Sequence, residues 1–236
     1  MTLLNWGLQG RVVIVTGGLG AIGAAVCEGF VEAGAVVAVV DRTGTYAHDL
    51  RDIAGLPGLV ARIEGDLGLA TVLVNVAGII IRTPDLFAVT EADWDAQHDV
   101  NLKATFFLTQ AFGRRLVDTG TPGSVVNYSS QGWMSGGFGG SVVYNATKGA
   151  ITTMTRGMAR SWAPHGIRVN AVAPGLVATP MLVTTAEEQA VLEASIPMGR
   201  LGQPGDHVGA TVFLASDMAA YMTGAVVNVS GGFLMY

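Results

Sequence analysis

The stretch Val12-Val13-Ile14-Val15-Thr16-Gly17-Gly18-Leu19-Gly20-Ala21-Ile22-Gly23 decides the fold. A short β-branched run ends in a cluster of glycines, and an apolar helical pattern, Ala21–Ala33, begins inside that cluster. Glycine allows a tight turn between strand and helix and lets backbone N–H groups approach a pyrophosphate. The helix N-terminus adds partial positive charge at the same place. Gly17, Leu19, Gly20, Ile22 and Gly23 are therefore candidate cofactor-binding positions. In a chain with 33 glycines an ordinary turn is the competing reading; placement between strand and helix favours the dinucleotide site.

Outward from this unit, strand-like runs alternate with helical patterns. The expected strands are Val12–Val15, Val36–Val40, Leu59–Ile63, Val72–Asn75, Ser124–Tyr128, Ile167–Ala171 and Ala225–Val229. Nearly continuous apolar runs suit parallel strands covered on both faces. Helices are expected at Ala21–Ala33, Glu91–Leu116, Val142–Ala163, Ala186–Ala194 and Pro204–Ala215. The pattern predicts an α/β protein: a single doubly wound, Rossmann-like parallel sheet of about seven strands, with helices on both faces. One domain spans residues 1–236, and 181–196 reads as a substrate lid. The connection 64–71 is abnormally short, because parallel crossovers usually need a dozen residues and a helix. Either it is an extended strap or residues are absent between Asp66 and Val72.

Half of the residues are hydrophobic and 13% are charged, enough for a sizeable core without disulfides or metal. The lone Cys27 excludes an internal disulfide, reads as a buried apolar residue and fits a cytoplasmic location. Residues Met1 to Arg11 lack the pattern of a signal peptide, and no apolar run approaches bilayer length. The net charge of −5 comes without charged blocks, which argues against nucleic-acid and membrane partners. His48, His98, His165 and His207 lack the paired spacing of a metal site and read as surface residues.

Asp41 closes the second expected strand, 18 residues after Gly23. A carboxylate there accepts the adenosine ribose hydroxyls and repels a 2′-phosphate, which favours NAD over NADP. Arg42 argues the other way, since a guanidinium can hold that phosphate.

Tyr144-Asn145-Ala146-Thr147-Lys148 places a phenol and an ammonium on one helix face. Lys148 is one of two lysines in the chain. A free tyrosine with a pKa of about 10 is a poor base at neutral pH, and a nearby ammonium favours the phenolate. A plain surface pair is the alternative. Ser130 follows the strand Ser124–Tyr128, at the sheet end where such folds bind ligands, and reads either as a substrate contact or as a turn serine. Asn101 interrupts a helical stretch, so solvent or a buried hydrogen bond must satisfy it; its position alone suggests solvent.

In this order the motifs resemble those of the short-chain dehydrogenase/reductase family, over essentially the whole chain. The glycine loop, Asn75-Val76-Ala77-Gly78, Asn101, Ser130, Tyr144-x-x-x-Lys148, Pro174-Gly175 and Gly231-Gly232 carry the resemblance. It implies that Tyr144 exchanges the hydroxyl proton, Lys148 lowers the phenol pKa and binds the nicotinamide ribose, and Ser130 orients the carbonyl. Asn101 would hold a water linking Lys148 to solvent. Asn75, Ala77 and Gly78 would line the cofactor cleft, Asp66 would sit beside the adenine, and Ile167–Val169 would pack near the nicotinamide. The segment Pro174, Gly175, Val177 and Thr179 would meet the nicotinamide side, with Thr179 at the carboxamide. A homotetramer is the family's usual assembly. Ala21, Val76 and Ser230 depart from the family pattern without touching the reacting atoms.

Gly78–Pro84 and Ser161–Ile167 are most similar to the gluconate and deoxygluconate dehydrogenase branch, which implies a sugar acid or polyol as the alcohol or ketone substrate. Ser130, Gln131, Trp133 and Tyr144 are the candidate substrate contacts; for Trp133, packing is an equal reading. A redox sensor that only binds the dinucleotide, and an isomerase or dehydratase on the same fold, are the competing functions.

Overall fold

The computed structural model describes residues 6–182 and 184–236. Met1–Asn5, at the head of the N-terminal stretch, and Val183, in the expected lid, lie outside the described residues.

Side chains alternate along β1 (Val12–Thr16), and both faces of the strand are buried. Val12 and Ile14 enter one apolar core, Val13 and Val15 the other. Two cores of this kind require helices on both faces of the sheet. α1 (Ala21–Glu32) and α8 (Val208–Ala215) cover one face with Val26, Phe30 and Leu214. α2 (Leu56–Leu67), α4 (Ala104–Thr119) and α6 (Val142–Trp162) cover the other with Leu59, Phe112 and Met158. Between them lie β2 (Val36–Asp41), β3 (Tyr46–Ala47), β4 (Ala70–Asn75), β5 (Gly123–Tyr128), β6 (Ile167–Pro174) and β7 (Val226–Val229). The seven strands are parallel in the order β3-β2-β1-β4-β5-β6-β7. From β1 the chain moves outward to β2, then returns to build β4 on the other side. The crevice at that switch point, above the carboxyl ends of the strands, is where such sheets bind ligands.

The expected strand Leu59–Ile63 is part of α2 instead. Leu56, Leu59, Val60 and Ile63 recur at helical spacing and are all buried against the sheet. Pro57 stands in the first turn, where its missing N–H costs nothing. An ion pair from Arg115 Nε on α4 to Glu64 Oε2, 2.8 Å long, ties α2 to its neighbour. The third strand is the two-residue β3, which pairs with Val40 and Asp41. Residues 64–71 thus finish a helix and start β4, and α2 itself is the crossover. The topology requires no further residues between Asp66 and Val72.

The expected helix Glu91–Leu116 is interrupted. α3 (Glu91–His98) gives way to a π-helical turn, Asp99–Lys103, before α4 begins. Ala186–Ala194 forms α7 as expected, whereas Pro204–Ala215 divides into a 3-10 turn, Pro204–His207, and α8. His207, expected at the surface, is buried, and neither ring nitrogen has a hydrogen-bond partner. Burial pushes its pKa down to about 4, so the imidazole is neutral. Cys27 is buried as expected, and burial pushes its thiol up to about 11. No described helix is long and apolar enough to cross a membrane.

Gly65 lies inside α2 with open space where a Cβ would stand. Gly65→Ala therefore stabilises the protein by about 0.5–1 kcal/mol through helix propensity alone. Urea denaturation measures this; a loss of stability contradicts the helical assignment.

Candidate active site

α6 starts beside the carboxyl end of β5 and carries Tyr144 and Lys148 one turn apart. Both side chains line one cavity, with Lys148 Nζ 5.6 Å from the centre of the Tyr144 ring. The ammonium donates to the Tyr128 carbonyl at 2.8 Å, at the last residue of β5. Ser129 Oγ donates to the Lys148 carbonyl at 2.9 Å and so fastens the helix to the strand end. Burial pushes Lys148 down to about 8. It also pushes the Tyr144 phenol up to about 12, although a hydrogen bond with Ser130 and the charge of Arg82 pull the other way. At neutral pH the protein alone therefore holds a protonated phenol next to a charged ammonium.

Asn101 is fully buried on the π-helical turn rather than solvated. Its Oδ1 accepts from Ile79 N at 2.8 Å; its Nδ2 donates to Ile79 O at 2.9 Å and to Thr147 Oγ1 at 3.1 Å. One side chain thus joins the segment after β4 to the catalytic helix. Gly78 lies inside this join. A Cβ there would stand 3.3 Å from both Asn101 Oδ1 and Lys148 Nζ, closer than most side chains tolerate. π-helical turns often mark functional positions, and this one carries the buried Asn101.

The cofactor half is built from backbone. Gly17 has φ 66°, and a Cβ there would press on the Ala77 backbone at 2.8 Å. A Cβ at Gly23 would strike the Gly17 carbonyl. α1 begins at Gly20 without a side-chain cap and without acidic residues in its first turn, which leaves its N–H groups for an anion. Asp41 Oδ2 accepts from Leu19 N at 3.1 Å, and Oδ1 from Arg42 N at 2.8 Å, so the carboxylate is fixed beside the glycine loop. Arg42 is exposed next to it. Ile22, Gly78, Pro174, Gly175, Val177 and Thr179 continue the wall as far as Tyr144. A glycine cradle, an uncapped helix start and a strand-end carboxylate fit a dinucleotide extended from Asp41 to Lys148.

Five expected residues lie elsewhere. Asp66 is on α2 and accepts from the Tyr46 hydroxyl, because the strand that would have ended beside it is a helix. Asn75 is buried below the cleft, donating to Thr109 Oγ1 and Asn127 Oδ1 at 2.9 Å each; it braces strands and does not face the cavity. Ile167 and Val169 sit in the core near the amino end of β6, far from its ligand end. Trp133 packs edge to face on Tyr236, with Arg156 over its ring, outside the cavity lining. Ala77 is held by its N–H to Thr16 Oγ1 at 3.3 Å, beneath Gly17.

Gln131 is buried at the cavity wall, its N–H bonded to Pro174 O at 2.8 Å. Arg82, Phe138 and Asn145 also line the cavity, and sequence reasoning assigned them no individual role; Met181, at the head of the expected lid, lines it as well. Arg82 had a usable signal: it is a cation closing an apolar run just past a strand end. The glycines around Phe138 read only as a loop.

One family profile, adh_short_C2, described as enoyl-(acyl carrier protein) reductase, matches residues 42–234. The galactitol 2-dehydrogenase of Rhizobium johnstonii is 37% identical over a 250-residue alignment covering 96% of each chain. The 2-dehydro-3-deoxy-D-gluconate 5-dehydrogenase of Escherichia coli is 35% identical over 253 residues, covering 99% of each. Both alignments are longer than this 236-residue chain, so these relatives carry residues that it lacks. The crystal structure of a gluconate 5-dehydrogenase from Burkholderia cenocepacia, in complex with NADP and tartrate, superposes with a TM-score of 0.92. It is 32% identical and covers 97% of each chain.

Proposed function

The chain belongs to the short-chain dehydrogenase/reductase family, and from that premise we propose that it interconverts a secondary alcohol and a ketone on a sugar acid, using NAD. The observation that carries the reading is the shared cavity of Tyr144, Ser130 and Lys148, at the end of a cleft built for a dinucleotide. A bound nicotinamide supplies the hydride acceptor in oxidation and the donor in reduction. Tyr144 takes the hydroxyl proton in one direction and returns it in the other. Ser130, already hydrogen-bonded to the phenol, orients the substrate oxygen. Lys148 keeps positive charge beside the phenol and favours its ionised form. The convergence of Ser130, Tyr144 and Lys148 on one cavity also argues for turnover over mere sensing of the dinucleotide.

Among possible alcohols the sugar acid is favoured by Arg82. Its guanidinium lies at the cavity mouth, 6.0 Å from the centre of the Phe138 ring, where it can pair with a carboxylate. A neutral polyol such as galactitol gives it no partner of opposite charge. NAD is favoured by the fixed Asp41 carboxylate, which a 2′-phosphate would have to approach. The Burkholderia relative holds NADP, so both cofactors belong in the assay. A homotetramer in the cytoplasm completes the proposal. Exposed Phe106 and Phe107 on α4 support self-association, and the single buried thiol suits a reducing compartment.

A panel of aldonates, hexitols and simple secondary alcohols, with NAD⁺ and NADP⁺, is read by absorbance of the reduced cofactor. Net reduced cofactor with an aldonate and NAD⁺ is the expected result; product without it would point to an isomerase. Tyr144→Phe is expected to lower kcat at least a thousandfold with NAD⁺ affinity within about threefold of the parent. An unchanged rate removes the phenol from the mechanism. Arg82→Met is expected to raise KM for an aldonate at least tenfold and to leave KM for galactitol nearly unchanged. Equal effects on both would refute the charge-pairing role.

A further inference from the structure

Between β5 and α6 the chain makes a short helix, α5 (Gly132–Ser135), followed by Gly136-Gly137-Phe138-Gly139-Gly140. All four of these glycines have positive φ, between 58° and 77°, a region other residues rarely adopt. The loop they form closes over Asn145, the residue after Tyr144, which is buried on α6.

The Asn145 amide binds the loop directly. Its Nδ2 lies 3.2 Å from Gly136 O, 2.8 Å from Ser141 O and 2.9 Å from Ser141 Oγ. A Cβ at Gly132 or Gly137 would collide with the same amide. Ser141 then relays the constraint: its hydroxyl donates to Phe138 O at 2.6 Å and accepts from Phe138 N at 3.2 Å. Phe138 O also accepts from Arg82 Nη1 at 3.4 Å, beside the stacking of the guanidinium over the ring. At the far end of the loop, Thr83 N donates to Gly140 O at 3.0 Å. An unbroken set of contacts therefore runs from the helix bearing the phenol, through Asn145, Ser141 and Phe138, to Arg82. Phe138 and Arg82 both face the cavity.

We propose that Asn145 is a positioning residue for substrate: its amide locks the glycine loop to the catalytic helix and so sets Phe138 and Arg82 at a fixed distance from Tyr144. The role rests on the dehydrogenase reading above, and it adds a specificity element that the reacting residues do not contain. A loop of four glycines is conformationally costly to order, and without the amide it has several competing shapes. Substrate would then have to order the loop on binding, and its affinity would fall while the chemistry, on Tyr144, Ser130 and Lys148, stays in place.

Asn145→Leu tests this with nearly the same shape and no added charge, removing both N–H donors to Gly136 and Ser141. Steady-state kinetics use D-gluconate with NAD⁺, and hydrogen exchange followed by mass spectrometry reports on residues 132–141. The expected result is a KM for D-gluconate raised at least tenfold, kcat within threefold and NAD⁺ affinity within twofold of the parent, with faster exchange in the loop. Gly132→Ala, at a glycine whose φ is not positive, sets a Cβ against the same amide and is expected to reproduce the pattern. An unchanged KM with unchanged exchange overturns the proposal. So does an equal loss in kcat and NAD⁺ affinity, which would mark general disruption. If the parent itself does not oxidise D-gluconate, the substrate reading fails, while loop exchange in the two variants still upholds or overturns the lock.

Discussion

A lysine ammonium taken out of water, held by one backbone carbonyl and set one helical turn from a phenol, is the constraint around which the site is arranged. Burying a charge is expensive, and the cost shows in the lowered pKa of Lys148, about 8. The Tyr128 carbonyl offsets part of it, and that oxygen is available because β5 ends there. Gly78 must lack a side chain, because a Cβ there would crowd both the ammonium and Asn101 Oδ1 at 3.3 Å. Asn101 is buried on a π-helical turn, a break in the regular helix between α3 and α4. Each of these features is locally unfavourable, and together they hold a cation where a phenolate has to form.

The sheet explains why these groups converge. Parallel strands place all their carboxyl ends on one edge, and the reversal of strand order at β1 and β4 opens a crevice in that edge. Thr16, Asp41, Asn75, Tyr128 and Pro174 are the terminal residues of their strands, and each is either in the site or directly beneath it. The two cores below the edge fix its geometry. Val12 and Ile14 on one face, and Val13 and Val15 on the other, are all buried.

Much of this was legible in the sequence because it depends on short-range spacing. The glycine loop, the strand-end Asp41, and the i, i+4 pair of Tyr144 and Lys148 need only local geometry. What was hidden depends on contacts between distant segments. Leu59–Ile63 is a short apolar run whose period is ambiguous unless Leu56 is counted with it, and its misassignment carried Asp66 to the wrong end of an element. Asn75, Ile167 and Val169 lie on strands whose inward or upward direction only the assembled sheet decides. Trp133 is drawn away by Tyr236 and Arg156, more than twenty residues distant in either case. Asn101 gives no sign of burial, because a π-helical turn has no clear sequence signature. Asn145 was quoted within its motif, but its partners become visible only once the glycines fold back over it.

The most direct test of the central claim is a ¹³C NMR titration of the Tyr144 phenol, labelled at Cζ and assigned by comparison with Tyr144→Phe, in the NAD⁺ complex of the parent and of Lys148→Met. The account predicts ionisation in the parent complex well below the value of about 12 to which burial pushes the phenol in the protein alone, and a return of several pH units upward when the ammonium is removed. Ionisation at the same pH in both proteins would contradict it, because the buried charge would then have no hold on the proton that the reaction moves.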